Sequence, residues 1–332
     1  MVATRSDVAR LAGVSTAVVS YVVNNGPRPV SEKSRRAVED AIRELNYRPN
    51  VMARALKGGT SGSVGLLLPE QSNPYFAELA QAVERELSEE ETLVLTGTIG
   101  RSSERSRRYI DLLVERRVDA IIAIGGGALE EQLSQLRSVS VAFIDRAGHV
   151  GGRAFSVSTL GAEGAMRAAE HLQFHGHRHI GCVAGPPGVA VADDRVAGWR
   201  RAVGDESRDL VAYGDFTAAG GDRAAESLLA ETGHRAAAHR PRPTALFVSS
   251  DVQAMGVIHA CDRLGLRVPD DVAIVSFDGT RAGAFVQPSL TSLRQPVDAM
   301  AREIAAFLRS GTPADMRLDG QLVIRHSCGC DG

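Results

Sequence analysis

The chain has 332 residues, of which 44% are hydrophobic and 23% charged, so it has the composition of a globular protein and bulk disorder is excluded. Its longest apolar runs span only a handful of residues, whereas a transmembrane helix needs about 20, and no apolar signal segment stands at the amino terminus. Four cysteines are too few for a disulfide framework in a chain of this length, and we expect a cytoplasmic protein.

The charge is distributed unevenly along the chain. Residues 1–60 carry ten Lys and Arg against five Asp and Glu, a net charge of +5, and the remaining residues have a net charge of −7. A small basic segment on an acidic body favours a polyanionic partner for that segment alone. A merely solvated surface gives the same count, so charge by itself leaves both interpretations open.

The basic segment is predicted to form short helices. The first covers Ser6–Ala12 and ends at Gly13, a residue type that easily takes the positive φ of a tight turn. The second covers Thr16–Val23 with Ser15 as its N-cap, and a third follows Ser31, where apolar residues recur at helical spacing. The first two helices have the spacing of a helix-turn-helix, although an ordinary helical hairpin is the alternative.

In a helix-turn-helix the first turns of the second helix face the base edges of DNA, and the preceding serine and the helix amino terminus lie near phosphates. The residues expected at base edges are Thr16, Ala17 and Tyr21. The residues expected to donate to phosphates are Ser15 and Ser20.

After a Gly/Ser-rich linker at 58–63, strand-like runs alternate with helical stretches. The predicted strands are 64–68, 93–96, 120–124, 139–144, 180–184, 246–248 and 272–277. The predicted helices are 74–89, 104–116, 162–174, 192–203 and 254–264. Continuous apolar strands alternating with helices are typical of parallel sheets covered on both faces. Since the body is long for one such domain, we expect two sheets and a small-molecule site beyond the carboxyl ends of their strands.

Several longer motifs run through the chain in order. Two lie in the basic segment: SDVARLAGVSTAVVSYVVN (Ser6–Asn24) and VSEKSRRAVEDAIRELNYRPN (Val30–Asn50). Three lie in the body: VGLLLPEQSNPYFAEL (Val64–Leu79), SSDVQAMG (Ser249–Gly256) and GLRVPDDVAIVSFD (Gly265–Asp278). Together they resemble the LacI–GalR family of bacterial transcription regulators over nearly the whole chain.

The resemblance implies an α/β protein with an amino-terminal helix-turn-helix headpiece and a two-subdomain, periplasmic-binding-protein-like core of parallel sheets. The implied segments are 1–49 for the DNA-binding domain, 50–62 for a hinge helix and linker, and 63–332 for the effector-binding and dimerisation core. Subdomain 1 is expected at about 63–157 and 291–316, and subdomain 2 at about 158–290 and 317–332. The last crossover between them is expected near Gln287–Leu293, so that the helix 297–308 returns to subdomain 1.

The resemblance also implies DNA contacts outside the helix-turn-helix. In the family the hinge lies in the minor groove, where a leucine wedges the central base step open. The matching residues are Asn50, Ala53, Arg54 and Leu56, with Leu56 as the wedge. The other residues expected at DNA are Arg5 and Asn24.

The ligand cleft of the family implies an aromatic residue from the first helix of the core, an arginine and an aspartate. These are Tyr75 or Phe76, Arg195 and Asp278, and further candidates are Phe216 and Ser250. A guanidinium and a carboxylate can bond to vicinal hydroxyls of one ligand, and aromatic faces pack on sugar or purine rings. An ion pair between Arg195 and Asp278 is the structural alternative.

The sequence departs from the family pattern at Leu160 and Gly161, where many members have Asp-Asn, and this puts sugar recognition in doubt. Two other patterns are compatible with metal. Cys328-Gly329-Cys330 supplies half of a thiolate site, and His175, His177 and His179 alternate. Since no second cysteine pair is near, we expect a solvated tail and a structural turn, with no metal and no cofactor.

No Ser-His-Asp order, P-loop or HExxH motif is present, so we expect no enzyme. The sequence predicts a homodimeric transcription repressor that binds double-stranded operator DNA and is released by a sugar-like small-molecule inducer, with no membrane partner. A repressor that needs a purine- or nucleoside-like corepressor is the alternative. A solute-binding protein without DNA function is disfavoured by the basic amino-terminal segment.

Overall fold

The computed structural model describes residues 3–23, 28–48, 60–100, 102–125, 128–137, 139–145, 154–205, 207–230 and 241–331. The chain divides into two compact units, Met1–Ser61 and Gly62–Gly332. Within the described ranges no single helix is long and apolar enough to cross a membrane, and the first two helices pass that test only as a pair bent by 105°.

Three helices form the described part of the first unit: α1 (Arg5–Leu11), α2 (Thr16–Val23) and α3 (Glu32–Glu44). A capping box between Thr4 and Asp7 starts α1, and Gly13 turns the chain toward α2 at a φ of +64°. The 105° bend between α1 and α2 lies in the range of about 90–120° that defines a helix-turn-helix. The small core contains Val8, Ala9, Val19, Val22, Val38 and Ala41.

The second unit alternates strands and helices. Its strands are β1 (Ser63–Leu68), β2 (Leu93–Thr98), β3 (Ala120–Ile124), β4 (Ser140–Ile144), β5 (Phe155–Thr159), β6 (Ile180–Ala184), β7 (Val211–Tyr213), β8 (Ala245–Val248), β9 (Ala273–Asp278), β10 (Thr291–Arg294), β11 (Asp315–Leu318) and β12 (Gln321–Val323). Its helices are α4 (Pro74–Ser88), α5 (Ser103–Glu115), α6 (Ala128–Ser134), α7 (Gly161–Phe174), α8 (Ala190–Ala202), α9 (Ala218–Leu229), α10 (Asp251–Arg263) and α11 (Val297–Ser310). Two 3₁₀ turns lie at Arg281–Ala284 and His326–Cys328.

The strands form two six-stranded sheets. Subdomain 1 has the order β11-β5-β4-β3-β1-β2, and subdomain 2 has the order β12-β10-β9-β8-β6-β7. Neighbouring strands are parallel apart from β10 and β12, which are antiparallel. The interior strands β3 and β6 are buried along their whole length, which confirms the expectation of two parallel sheets covered on both faces.

The described chain passes between the two sheets three times: after β5, after β10 and after β11. β10 pairs with β9 up to Arg294, so the second crossover lies at Gln295–Pro296, and the third lies at Asp319–Gly320. The expectation of a last crossover near Gln287–Leu293, with residues 291–294 in subdomain 1, is therefore wrong. The reason is that β10 extends the second sheet by four residues before the chain leaves it. The helix α11 does return to subdomain 1, where Met300 and Ile304 are in the core.

The carboxyl-terminal turn is packed and not solvated, so the expectation of a free tail is wrong. Cys328 is 1% exposed. Ser327 donates to the carbonyl of Ile274 at 2.7 Å and accepts from the backbone N–H of Thr291 at 2.9 Å. These bonds fix the turn against the beginning of β9 and β10.

The helices α7 and α8 approach closely at Gly198. A Cβ at this position would lie 1.9 Å from the backbone carbonyl oxygen of Ala162. The end of a flexible side chain could rotate away from an added Cβ, but the backbone of Ala162 cannot. Only glycine therefore permits the two helices to pack this closely.

We predict that Gly198→Ala lowers the free energy of unfolding by roughly 1–3 kcal/mol or more, because the added methyl group forces the two helices apart. Gly161→Ala is the matched control, since a Cβ there lies at an ordinary 3.5 Å from Asp194 Cβ. Urea unfolding followed by circular dichroism measures both. Equal stability of the two variants would contradict the close packing.

Candidate DNA-binding surface and effector cleft

The amino-terminal end of α2 is the exposed part of the helix-turn-helix. Ser15, Thr16 and Ala17 are exposed, whereas Val19 and Val22 on the same helix are buried in the headpiece core. The Ser15 hydroxyl oxygen accepts from the backbone N–H of Val18 at 3.3 Å and so caps α2, as predicted. The side chains of Thr16 and Ala17 are therefore exposed at the start of α2, where a hydroxyl group and a methyl group can face a DNA groove.

The other residues expected to contact DNA are either less exposed or outside the described residues. Arg5, Ser20 and Tyr21 are half-buried. The remaining predicted residues lie outside the described residues: Asn24, Asn50, Ala53, Arg54 and Leu56. The predicted role of Leu56 as a wedge therefore stays a prediction.

A chain of hydrogen bonds links the two sheets where the strands end. The Gln295 amide donates from Nε2 to Asp278 Oδ1 at 2.8 Å, and its Oε1 accepts from the Thr159 hydroxyl at 2.7 Å. Asp278 ends β9, Thr159 ends β5, and Gln295 lies on the crossover between the sheets. Asp278 has a φ of +111°, a backbone conformation that costs energy for a non-glycine residue and is concentrated at functional sites.

Arg195 of α8 lies beside this chain with its side chain only 7% exposed. Its Nη1 donates to the carbonyl of Ser249 at 2.6 Å and lies 3.6 Å from Asp278 Oδ1. The guanidinium carbon is 3.9 Å from the centroid of the Phe277 ring. The Nε of Arg195 and the Oγ of Ser249 are buried without a hydrogen-bond partner among the described residues. The contact between Arg195 and Asp278 that the ion-pair alternative requires is therefore present, but it leaves a buried donor of Arg195 without a partner among the described residues.

The aromatic residue on the other side of the cleft is Tyr75. Its hydroxyl donates to Asp145 Oδ2 at 2.8 Å, and its ring centroid is 5.3 Å from that of Phe76. Asp145, Gln295 and Thr159 were not among the residues predicted for the site. Asp145 follows the apolar strand β4 just as Asp278 ends β9, so the same pattern could have found it.

Burial dominates the titration of these groups. It raises the pKa of Asp278 to about 8 despite the opposing positive charge of Arg195. It also raises the pKa of Asp145, against the charge of Arg195 and the hydrogen bond from Tyr75. Burial, with the charge of Asp145, raises the pKa of the Tyr75 hydroxyl as well. Near neutral pH the carboxyl of Asp278 is largely protonated and can donate as well as accept.

Two cavities border the network. One has a volume of about 280 Å³ and lies between α4 and the segment 278–281, with Tyr75, Asp278 and Gln295 in its wall. The other, beside Arg195, Asp145 and Thr159, has a volume of about 10 Å³, which is room for about one water molecule. The two subdomains are therefore packed tightly around Arg195, and the larger cavity lies beside Tyr75.

The other predicted effector contacts lie apart from these cavities. Phe76 packs half-buried on the core of subdomain 1, and the Phe216 ring centroid is 6.0 Å from the guanidinium of Arg195. Ser250 caps α10, with its hydroxyl accepting from the backbone N–H of Gln253 at 3.3 Å and donating to Gln253 Oε1 at 3.0 Å. The structure thus brings Tyr75, Arg195 and Asp278 to one cleft, whereas Ser250 is satisfied within its own helix.

The carboxylate next to Ser250 fixes the floor of the cleft. Asp251 Oδ1 accepts from the hydroxyls of Ser276 and Ser292, each at 2.6 Å. Its Oδ2 accepts from the N–H of Thr280 at 2.6 Å and from the Thr280 hydroxyl at 2.7 Å. A fully buried carboxylate with four donors ties β9, β10 and the loop after Asp278 into one rigid piece.

Comparison with known proteins places this architecture in a family. Residues 4–50 match the model of bacterial regulatory proteins of the lacI family, and residues 169–328 match a periplasmic binding protein-like domain. The HTH-type transcriptional repressor PurR of Escherichia fergusonii is 33% identical over 305 residues, covering 90% of this chain and 87% of that protein.

Solved structures are similar over almost the whole chain. The lac repressor dimer bound to operator and the anti-inducer ONPF is 26% identical, with a TM-score of 0.84 and coverage of 99% of each chain. The complex of the transcriptional regulator CelR with cellobiose is 29% identical, with a TM-score of 0.70 and coverage of 98% of this chain and 99% of that one. The chain belongs to the LacI family and is a DNA-binding transcription regulator with a small-molecule effector domain.

We predict that Asp278→Asn changes the pH dependence of stability. The carboxyl has its ordinary pKa of 3.8 in the unfolded chain and a pKa of about 8 in the folded protein, so folding takes up a proton between these values. The stability that this group contributes is present below about pH 4 and is lost as the pH rises to about 8. The asparagine variant should therefore gain stability relative to the natural protein as the pH increases.

Thermal melting between about pH 5 and pH 9 measures this difference. Asp298→Asn, at an exposed carboxylate that pairs with Arg85 at 2.7 Å, is the control and should melt in parallel with the natural protein. Parallel curves for Asp278→Asn would show that burial does not raise the pKa of Asp278.

Proposed function

We propose that the protein is a homodimeric repressor whose affinity for operator DNA is lowered by a sugar-like inducer bound between its subdomains. The observation that carries the choice of site is the buried set of Arg195, Asp278, Tyr75 and Asp145 at the ends of strands from both sheets. Ligands of open α/β sheets bind beyond the carboxyl ends of the strands, which is where these side chains lie.

The chemistry of the set suits a polyol. Arg195 can only donate hydrogen bonds, Asp145 can accept them, and Asp278 can do both near neutral pH. Neighbouring hydroxyls of a sugar donate and accept, so one ligand can bond to all three residues. The unsatisfied Nε of Arg195 adds a donor that a ligand oxygen can satisfy.

The space in the cleft links binding to conformation. The cavity of about 280 Å³ beside Tyr75 is close to the lower limit of about 300 Å³ for small-molecule sites, and Arg195 lies outside its wall. A ligand that bonds to both Arg195 and Tyr75 needs a different closure of the two subdomains. Such a ligand prefers one closure and therefore shifts the equilibrium between closures.

The relatives support the same roles. The lac repressor was solved as a dimer on its operator, and CelR was solved with cellobiose, which favours a palindromic DNA site and a sugar effector here. A two-fold symmetric dimer presents two headpieces to two half-sites. A protein that acts on operator DNA works in the cytoplasm, and it carries out this role without catalysis.

We expect a sugar to raise the melting temperature of the protein and to weaken its binding to operator. A thermal-shift screen of sugars, nucleosides and purines identifies the ligand, because a ligand that binds only the native state stabilises it. Operator titrations with and without that ligand then give the direction. Asp278→Ala should abolish the response to the ligand and leave operator affinity without ligand close to the natural value.

Asp270→Ala, at an exposed residue that pairs with Arg267 at 3.0 Å, is the control and should respond normally. Tighter operator binding in the presence of the ligand would replace the inducer by a corepressor. A response in Asp278→Ala equal to that of the natural protein would remove Asp278 from the site.

The headpiece makes a separate prediction about salt. Arg5→Ala should reduce the slope of log affinity against log salt concentration by about one, because a phosphate contact releases about one counterion. Tyr21→Ala should cost about 1–3 kcal/mol on the selected operator and keep the slope, because Tyr21 reads bases. Fluorescence anisotropy at several salt concentrations measures both slopes. A reduced slope for Tyr21→Ala would assign Tyr21 to the phosphate backbone instead.

A further inference from the structure

Two histidines and two cysteines meet at the end of subdomain 2 that is remote from the cleft. His171 lies on α7 and His175 is the residue that caps its carboxyl end, whereas Cys328 and Cys330 lie on the carboxyl-terminal turn. Their four ligand atoms all lie within 4.8 Å of one another. More than 150 residues of sequence separate the two pairs, so only the fold brings them together.

Each pair is positioned by its backbone. His171 is in the last turn of α7 and His175, four residues later, is its C-cap, so the two rings lie on the same side of the helix end, with centroids 4.8 Å apart. Gly329 stands between the cysteines with a φ of +94°, a conformation that side-chain-bearing residues rarely adopt. This turn lets both sulfur atoms face the histidines, and it explains why the short Cys-Gly-Cys spacing can serve one site.

The distances are those of a tetrahedral site. His171 Nε2 lies 3.2 Å from Cys328 Sγ and 3.8 Å from Cys330 Sγ, and His175 Nε2 lies 3.1 Å from Cys330 Sγ. Zinc bonds of about 2.0–2.1 Å to nitrogen and 2.3 Å to sulfur place tetrahedral ligands roughly 3.3–3.8 Å apart. These three distances differ from the tetrahedral ones by a few tenths of an ångström, and the remaining pairs, at up to 4.8 Å, must approach by at most about 1 Å around a central ion.

The surroundings hold the cysteines in place. The Thr291 hydroxyl donates to Cys328 Sγ at 3.0 Å, and the backbone N–H of Ser327 donates to the carbonyl of Ser289 at 2.9 Å. Hydrogen bonds to ligating groups orient them and strengthen metal sites. The turn is thus fixed by bonds to β10 and to the loop before it, which positions the sulfur atoms.

We propose that His171, His175, Cys328 and Cys330 bind one Zn²⁺ ion in a structural site. Two thiolates and two imidazoles in tetrahedral geometry are the ligand set typical of zinc, and four protein ligands leave no position open for substrate water. The ion joins α7 to the carboxyl-terminal turn and so holds β12 at the edge of the second sheet. The zinc site and the cleft lie at opposite ends of β9: Ser327 of the turn bonds to Ile274 near the beginning of the strand, whereas Asp278 ends it. The ion would therefore stabilise the fold without taking part in effector binding.

The test measures metal in the full-length protein purified under reducing conditions. Zinc analysis should find about one ion per chain for the natural protein and almost none for the double variant Cys328→Ser, Cys330→Ser. His175→Gln should weaken binding, whereas His177→Gln should keep the full zinc content. His177 is the matched control because it lies two residues away and pairs with the Thr244 hydroxyl at 3.0 Å, outside the cluster.

Cobalt titration keeps the proposal testable if the cysteine variants fail to fold. Metal-stripped natural protein should bind one equivalent of Co²⁺ and show the intense visible bands of tetrahedral cobalt with thiolate charge transfer in the near ultraviolet. A chelator should lower its melting temperature by several degrees. A protein without bound zinc, a weak octahedral cobalt spectrum, or a Cys328–Cys330 disulfide in the reduced preparation would each overturn the proposal.

Discussion

The core depends on how it accommodates buried charge where its two sheets meet. Arg195 and Asp278 are almost fully buried, and burying an unpaired charge costs far more than a hydrogen bond returns. The protein resolves this by placing the guanidinium between a carbonyl, an aromatic face and a carboxyl whose pKa is raised by burial. The arrangement is incomplete, because one guanidinium N–H has no partner among the described residues. Under the proposed function, a ligand oxygen would satisfy this N–H.

Gln295 connects this site to both sheets of the core. Its side chain bonds to Asp278 of one sheet and Thr159 of the other, and its backbone is the crossover itself. If the effector binds in the proposed cleft, a ligand that displaces the Gln295 amide from Asp278 would act directly on one of the crossovers between the subdomains. Asp251 makes the opposite contribution, because its four hydrogen bonds hold β9 and β10 together whatever occupies the cleft.

Strong periodic and apolar patterns were readable in the sequence. Six long helices of the core were predicted to within three residues, whereas α9 (Ala218–Leu229) was missed. Strands β3 and β6 were predicted with the bounds observed, because a buried strand in a parallel sheet must be apolar throughout. The strands β5, β7, β10, β11 and β12 were not predicted. Four of them have only three or four residues, and β5 has polar residues at three of its five positions, so none shows a clear apolar pattern.

The residues of the candidate site were likewise predicted only in part. Tyr75, Arg195 and Asp278 were found through the family motifs, and Gln295 and Thr159 were missed because their role is a contact across 136 residues of chain. Cys328 and Cys330 were expected to be solvated for the same reason. Local sequence shows two cysteines without partners, and only the packing of the turn against α7 supplies the histidines. Residues 49–59, which contain most of the predicted hinge and linker at 50–62, lie outside the described residues, so their role rests on sequence alone.

The three crossovers also constrain the order in which the protein can form. β11 and β12 are edge strands of different sheets, yet they are consecutive in the chain, at Asp315–Leu318 and Gln321–Val323. Neither sheet is complete until these residues have left the ribosome. The headpiece helices lie within Arg5–Glu44, so they can fold while the core is still being synthesised. A nascent chain would therefore present a formed DNA-reading module before it has a cleft with which to regulate it.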